Sequence, residues 1–183
     1  MKHILITVLT FAILSACSAP SQLKNTQIID EDLSGKLSQD KLDSIAKLIR
    51  ELEQNPFDTK AQDAKLVLFK WLVGSPDVNV SIYPIISNAK SLDEKSQGFL
   101  TTQLMFSTAG AIIEEPALKN DNVSATATGL QRTLAVYEIL KKKNAVSDPY
   151  LNTLIDEQKN GNLENIISEI VNESDKKQKI KLK

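Results

Sequence analysis

Residues 91–116 read SLDEKSQGFLTTQLMFSTAGAIIEEP, and this stretch decides the fold class. Ser91-Leu92-Asp93-Glu94 has the spacing of a capping box, in which the Ser91 hydroxyl takes a backbone amide three residues on and Glu94 reaches back. The helix it opens is expected to run to about Glu115. It carries Phe99, Leu100, Leu104, Met105, Phe106, Ile112 and Ile113, so apolar side chains lie almost all round it. That is the pattern of a helix enclosed by others. Thr101, Thr102 and Gln103 interrupt the apolar run and argue against a membrane span. Ser107-Thr108-Ala109-Gly110-Ala111 offers small side chains where a second helix can come close. Pro116 and the polar Lys119-Asn120-Asp121-Asn122 end it.

The same three-and-four spacing recurs outward in both directions. Leu42, Ile45, Leu48, Ile49 and Leu52 form one stripe opposite Lys41, Asp43, Lys47, Arg50 and Glu51, and Asn55-Pro56 stops that helix. Asp58 is the expected cap of the next, whose face holds Ala61, Ala64, Val67, Leu68, Trp71 and Leu72. Leu66 and Phe69 widen that face, so the helix is expected to be well buried, with Gly74 as a left-handed residue at its end. A long helix from about Val123 to Lys143 places Leu130, Leu134, Tyr137 and Leu140 with Val123 on one face. Lys141-Lys142-Lys143 then sits at the negative end of its dipole. Asp148-Pro149 opens another helix, with Tyr150, Leu151, Leu154 and Ile155 facing inward and Gly161 as its stop. Leu163, Ile166, Ile167, Ile170 and Val171 mark the last.

Residues 75–84 alone depart from this rhythm, because Val78, Val80 and Ile82 alternate with polar neighbours between two prolines. With no partner strand in sight, they are expected to form an extended connector that inserts its apolar side chains, followed by a short helix over 84–90. The fold class is therefore all-α, an irregular bundle or short solenoid of about six or seven helices. The helix-breaking prolines at 56, 76, 116 and 149 share no fixed interval, which argues against a tetratricopeptide array.

Charge and chemistry narrow the function. With 22 Lys+Arg against 23 Asp+Glu there is no basic footprint for nucleic acid, so no nucleic-acid partner is expected. The chain has one Cys and one His, both near its start. Lys2 and His3 precede an apolar run from Ile4 to Leu14, too short to span a bilayer but suited to a secretory signal. Leu14-Ser15-Ala16-Cys17 then resembles the lipobox of bacterial lipoproteins. The resemblance implies cleavage after Ala16, a diacylglycerol thioether on Cys17 and a further palmitate-type acyl chain on the new amine. Each buried methylene contributes about 0.8 kcal/mol, so such an anchor is in effect permanent. Ser18, rather than Asp, implies sorting to the outer membrane, with the domain on the periplasmic face.

The expected organisation is a signal peptide over 1–16, lipidated Cys17 and a tether over 17–38, a helical domain over 39–174 and a basic tail over 175–183. The tether's later half is expected to dock through Ile28, Ile29, Leu33 and Leu37. Cleavage removes His3, and lipidation blocks the only thiol, which excludes Ser-His-Asp and Cys-His catalysis and any His or Cys zinc site. No metal and no other cofactor is expected.

Three aromatic residues are candidates for a binding surface: Trp71, Tyr83 and Tyr150. Trp71 lies in phase with Ala64, Val67 and Leu68, which is also the position of a core residue. Glu114 and Glu115, at the end of the central helix, are the alternative: a buried carboxyl there has the makings of a general acid. Helical lytic transglycosylases use one such Glu, but their Gly-Leu-Met-Gln-like segment is absent here. Phe69-Lys70-Trp71-Leu72, Pro76-Asp77-Val78-Asn79-Val80 and the 98–116 helix resemble a group of uncharacterised secreted helical bacterial proteins, which implies the fold class and no activity. The expected role is a non-catalytic binding, scaffold or assembly factor with an envelope protein partner, by fold-level analogy with secretin pilotins. The alternatives are a peptidoglycan-cleaving enzyme and a periplasmic immunity or inhibitor protein.

Overall fold

The helix expected at the centre is there, and the rest of the chain is arranged along it. The computed structural model describes residues 23–144 and 146–181, so Cys17 and the signal segment lie outside the described residues. Among the described residues six α-helices follow one another: α1 (Gln39–Gln54), α2 (Ala61–Gly74), α3 (Glu94–Glu114), α4 (Asn122–Asn144), α5 (Pro149–Lys159) and α6 (Leu163–Lys181). Short 3-10 turns occupy Thr26–Asp30, Ile86–Asn88 and Pro116–Asn120, and the described residues contain no strand. The fold is all-α.

Two apolar clusters share α3 and α4. The first gathers Leu23, Ile28 and Leu33, the α1 stripe, the inner face of α2, Val78 and the second half of α3. The second gathers Tyr83, Ile85 and Ile86, the first half of α3, most of α4, and the inner faces of α5 and α6. On α1, Ile45, Leu48, Ile49 and Leu52 are wholly excluded from solvent, each contributing about 1.5–3 kcal/mol. Residues 23–37 lie on the domain. Glu51 accepts from the amides of Lys24 (2.7 Å) and Asn25 (3.0 Å), and Asp77 accepts from that of Leu37 (3.0 Å).

The small-residue stretch of α3 meets α4 where the sequence placed it. A Cβ added at Gly129 would stand 2.7 Å from the Thr108 amide nitrogen and 2.8 Å from its Cα, so the two backbones are in near contact. No side chain but hydrogen fits between them.

Several local signals resolve differently from the sequence reading. The cap of α3 is Asp93, whose carboxylate accepts from Ser96 N at 2.6 Å, and not the Ser91–Glu94 box. A charged acceptor at the positive helix end outcompetes a hydroxyl. Ser91 is held outside the helix because its amide donates to Asp148 Oδ2 at 2.9 Å. Asp58 binds the Lys60 amide (2.9 Å) in a turn and does not cap α2. Gly74 is the last helical residue; the left-handed glycines are Gly35 and Gly161. In the connector, Val78 and Tyr83 turn inward while Ile82 is 63% exposed, because the alternation shifts by one residue before Pro84. Helix α6 continues through Lys181, past the point where a basic tail was expected to fray.

The largest difference is α2. Leu66, Phe69 and Val73 are 53%, 44% and 71% exposed, so the helix is not buried all round but shows a second apolar stripe to solvent.

Replacing Gly129 with Ala is expected to destabilise the fold by about 2 kcal/mol or more, since a backbone must move to admit the methyl. Gly98→Ala, where a Cβ would meet nothing within 4 Å, is expected to stabilise by about 0.5–1 kcal/mol. Urea unfolding followed by circular dichroism separates the two; equal midpoints would remove the close approach as the explanation.

Candidate functional site

Pro56 ends α1 and is itself buried, which turns Phe57 outward, 38% exposed. Phe57 stacks on Phe99 from the early turns of α3, with ring centroids 5.8 Å apart and planes 6° from parallel. That offset arrangement is favourable by about 0.5–1.5 kcal/mol beyond burial. A lysine lies over each ring: Lys65 Nζ of α2 stands 4.1 Å from the Phe99 centroid, and Lys143 Nζ, from the last turn of α4, 4.0 Å from that of Phe57. The group is Lys143, Phe57, Phe99 and Lys65. Four separate elements supply it.

Around this stack is a cavity of about 530 Å³, bounded also by Asp58, Ala61, Gln62, Asp93, Lys95 and Leu140. A second, of about 380 Å³, shares Gln62, Lys65, Lys95 and Phe99 and continues along α2 past Leu66 and Phe69, with Gly98 and Thr102 of α3 opposite. The two make one trough between α2 and α3, aromatic and cationic at one end and lined by Leu66 and Phe69 further along.

The charges in the trough are unequal. Its lysines are Lys65, Lys95 and Lys143, against Asp58 and Asp93, and Asp93 is already occupied in capping α3. The ion pairs of the described residues draw on Lys41, Arg50, Arg132, Lys141 and Lys159, and on none of the trough lysines. Lys65 donates to the Pro56 carbonyl at 3.2 Å, and burial lowers its pKa to about 8. An ammonium so placed is destabilising in the free protein, and an arriving anion relieves it.

The residues singled out from sequence do not form one site. Trp71 is only 2% exposed and belongs to the first apolar cluster; its edge lines a separate groove of about 380 Å³ beside Ile29, Leu33 and Lys70. Tyr83, 8% exposed, and the half-buried Tyr150 come together in the second cluster. Burial raises the Tyr150 phenol above its ordinary value. Glu115 is an exposed helix end.

Glu114 is held in a clamp. Arg50 donates to both its carboxylate oxygens, Nε to Oε1 at 2.8 Å and Nη2 to Oε2 at 2.6 Å, and Arg132 Nη1 reaches Oε2 at 3.3 Å. Burial alone would raise its pKa. The Arg50 hydrogen bond and the charges of Arg132 and Arg50 outweigh that, and the carboxyl is held below its ordinary 4.5. A general acid needs the opposite shift.

Phe57, Phe99, Lys65 and Lys143 escaped the sequence reading because four elements contribute them. The legible signal was Leu66, Phe69 and Val73, spaced three and four apart on the side of α2 away from Ala64 and Leu68. Among the described residues, no three His, Cys, Asp or Glu side chains could hold a metal ion, and no helix is long and apolar enough to cross a membrane. Comparison of the chain with protein-family models, with curated proteins and with solved structures finds no match.

Lys65→Met is expected to raise the melting temperature at pH 7. The folded pKa of Lys65 lies below its unfolded value, so the destabilisation is full below pH 8 and fades as pH rises toward 10.5. The gap between variant and wild type should close over that interval; a constant gap would mean packing alone is responsible. Glu114 has the opposite profile: its contribution is present above pH 4.5 and lost as pH falls through the lower folded value. Glu114→Gln should therefore lower neutral-pH stability by about 1 kcal/mol or more and flatten part of the acid limb in a pH series of urea midpoints.

Proposed function

We propose that the protein is a lipid-anchored lipoprotein of the outer membrane whose helical domain faces the periplasm and acts as a non-catalytic binding, scaffold or assembly factor in the cell envelope. The lipobox-like Leu14-Ser15-Ala16-Cys17, after an apolar run of secretory length, carries the anchor and the compartment. For the binding role, the support is the trough between α2 and α3, with exposed aromatic and aliphatic side chains beside three lysines that outnumber its two carboxylates. Exposed apolar surface flanked by charge is what a recognition face requires and what a free-standing domain avoids.

The enzymatic alternative rests on Glu114 or Glu115. Two arginines hold Glu114 as the carboxylate, and Glu115 stands at a solvated helix end, so neither is prepared to deliver a proton. This favours the binding reading over the enzymatic one.

Replacing Cys17 with Ala is expected to move the protein from the membrane pellet to the soluble fraction and to abolish incorporation of labelled palmitate. Continued flotation of the Cys17→Ala protein with membranes, with no label incorporated by wild type, would remove the anchor from the proposal.

A further inference from the structure

Along α2, Gln62, Leu66, Phe69 and Val73 recur at four, three and four residues, which covers about 16 Å of helix axis. Residues at this spacing present a seam to which another helix packs. The opposite wall is the start of α3, where Gly98 leaves open space at the level of Leu66 and Phe69. The trough itself is lined from Gln62 to Phe69 on α2 and from Lys95 to Thr102 on α3, about two helical turns, and such a groove takes a third helix in the helix-in-groove manner, by anchors three and four residues apart.

One end of the groove specifies the charge of the occupant. Lys65, Lys95 and Lys143 converge there around the stacked Phe57 and Phe99. Only two carboxylates, Asp58 and Asp93, stand among them, with Asp93 feeling the charge of Lys95, so the three lysines remain in excess. A purely apolar segment would cover that excess positive charge without pairing it, which is unfavourable. A segment with carboxylates at that end satisfies them and lays its apolar side chains on Leu66, Phe69 and Phe99.

We infer that the α2–α3 trough docks an acidic amphipathic helix of an envelope protein, seated over about two turns, its apolar stripe on Leu66 and Phe69 and its Asp or Glu side chains on Lys65, Lys95 and Lys143. This rests on the binding-factor reading above and names the partner's chemistry. A second copy of the chain and a lipid headgroup are the competing occupants.

The test uses the full lipidated chain in intact cells, with a photo-crosslinking amino acid at Leu66 or Phe69, and at Ile82 as a comparison, all three being exposed. Adducts from Leu66 and Phe69 are expected to contain one envelope protein, and fragmentation of the crosslinked peptide should read a segment with apolar residues three and four apart and at least two carboxylates. Lys95→Glu, at an exposed position in the first turn of α3 where a carboxylate suits the helix dipole, should reduce the adduct about tenfold with unchanged helicity. Adducts to a second copy, to lipid or to a basic segment overturn the inference, as does a yield indifferent to charge reversal. A protein adduct from Ile82 alone overturns it while leaving the binding-factor reading in place. Absence of any protein adduct from all three positions overturns both.

Discussion

The Glu53–Arg132 ion pair fixes how α1, α3 and α4 meet. Glu53 of α1 and Arg132 of α4 are both more than nine-tenths buried, with Arg132 Nε 2.8 Å from Glu53 Oε1. Ser107 of α3 donates its hydroxyl to the same oxygen at 2.7 Å, and Gln103 donates to Ser107 at 3.2 Å. Arg132 also reaches Glu114, which Arg50 holds from the other side. Space for the guanidinium comes from Gly110, where a Cβ would lie 3.0 Å from its Nη2. Such a network need not be net stabilising compared with an apolar core. Loss of one partner, however, leaves a buried charge and costs about 3–5 kcal/mol. The network thereby ties three helices to one register, which apolar side chains alone would leave free to slide.

The helical fold was legible in the sequence because its signals are local. Stripes such as Ile45, Leu48, Ile49 and Leu52, and stops such as Asn55-Pro56 and Gly161, depend on neighbours a few residues away. What escaped depends on partners far along the chain. Ser91 and Asp93 are both competent caps, and Asp148, fifty-seven residues on, settles the choice by taking the Ser91 amide. Helix α2 is apolar on both sides, and periodicity alone does not reveal which side the domain covers. Of the candidate residues, Glu114 was rightly placed at the end of α3, but its chemistry is decided by Arg50 and Arg132, sixty-four and eighteen residues away in sequence.

Stability and recognition are balanced against one another at the trough. Lys65 is held partly buried over Phe99, where its charge is disfavoured, while Leu66, Phe69 and Val73 stand in water on the same helix. Either feature alone is ordinary on a protein surface. Their placement on one helix, beside a second lysine-capped aromatic ring, concentrates unsatisfied chemistry on one face. The inner face of the same helix, through Ala64, Leu68 and Trp71, is packed tightly enough to hold that face rigid.

The two apolar clusters also carry an order of assembly. The first draws its residues from 23 to 125, and the second completes itself with α5 and α6. A chain emerging from its N-terminus can close the first cluster before the last helices exist. Glu53, on α1, has Arg50 3.6 Å away on its own helix and takes its close partner, Arg132, from seventy-nine positions later. The helical turn that carries Arg132 also carries Leu130 and Leu134, which belong to the second cluster.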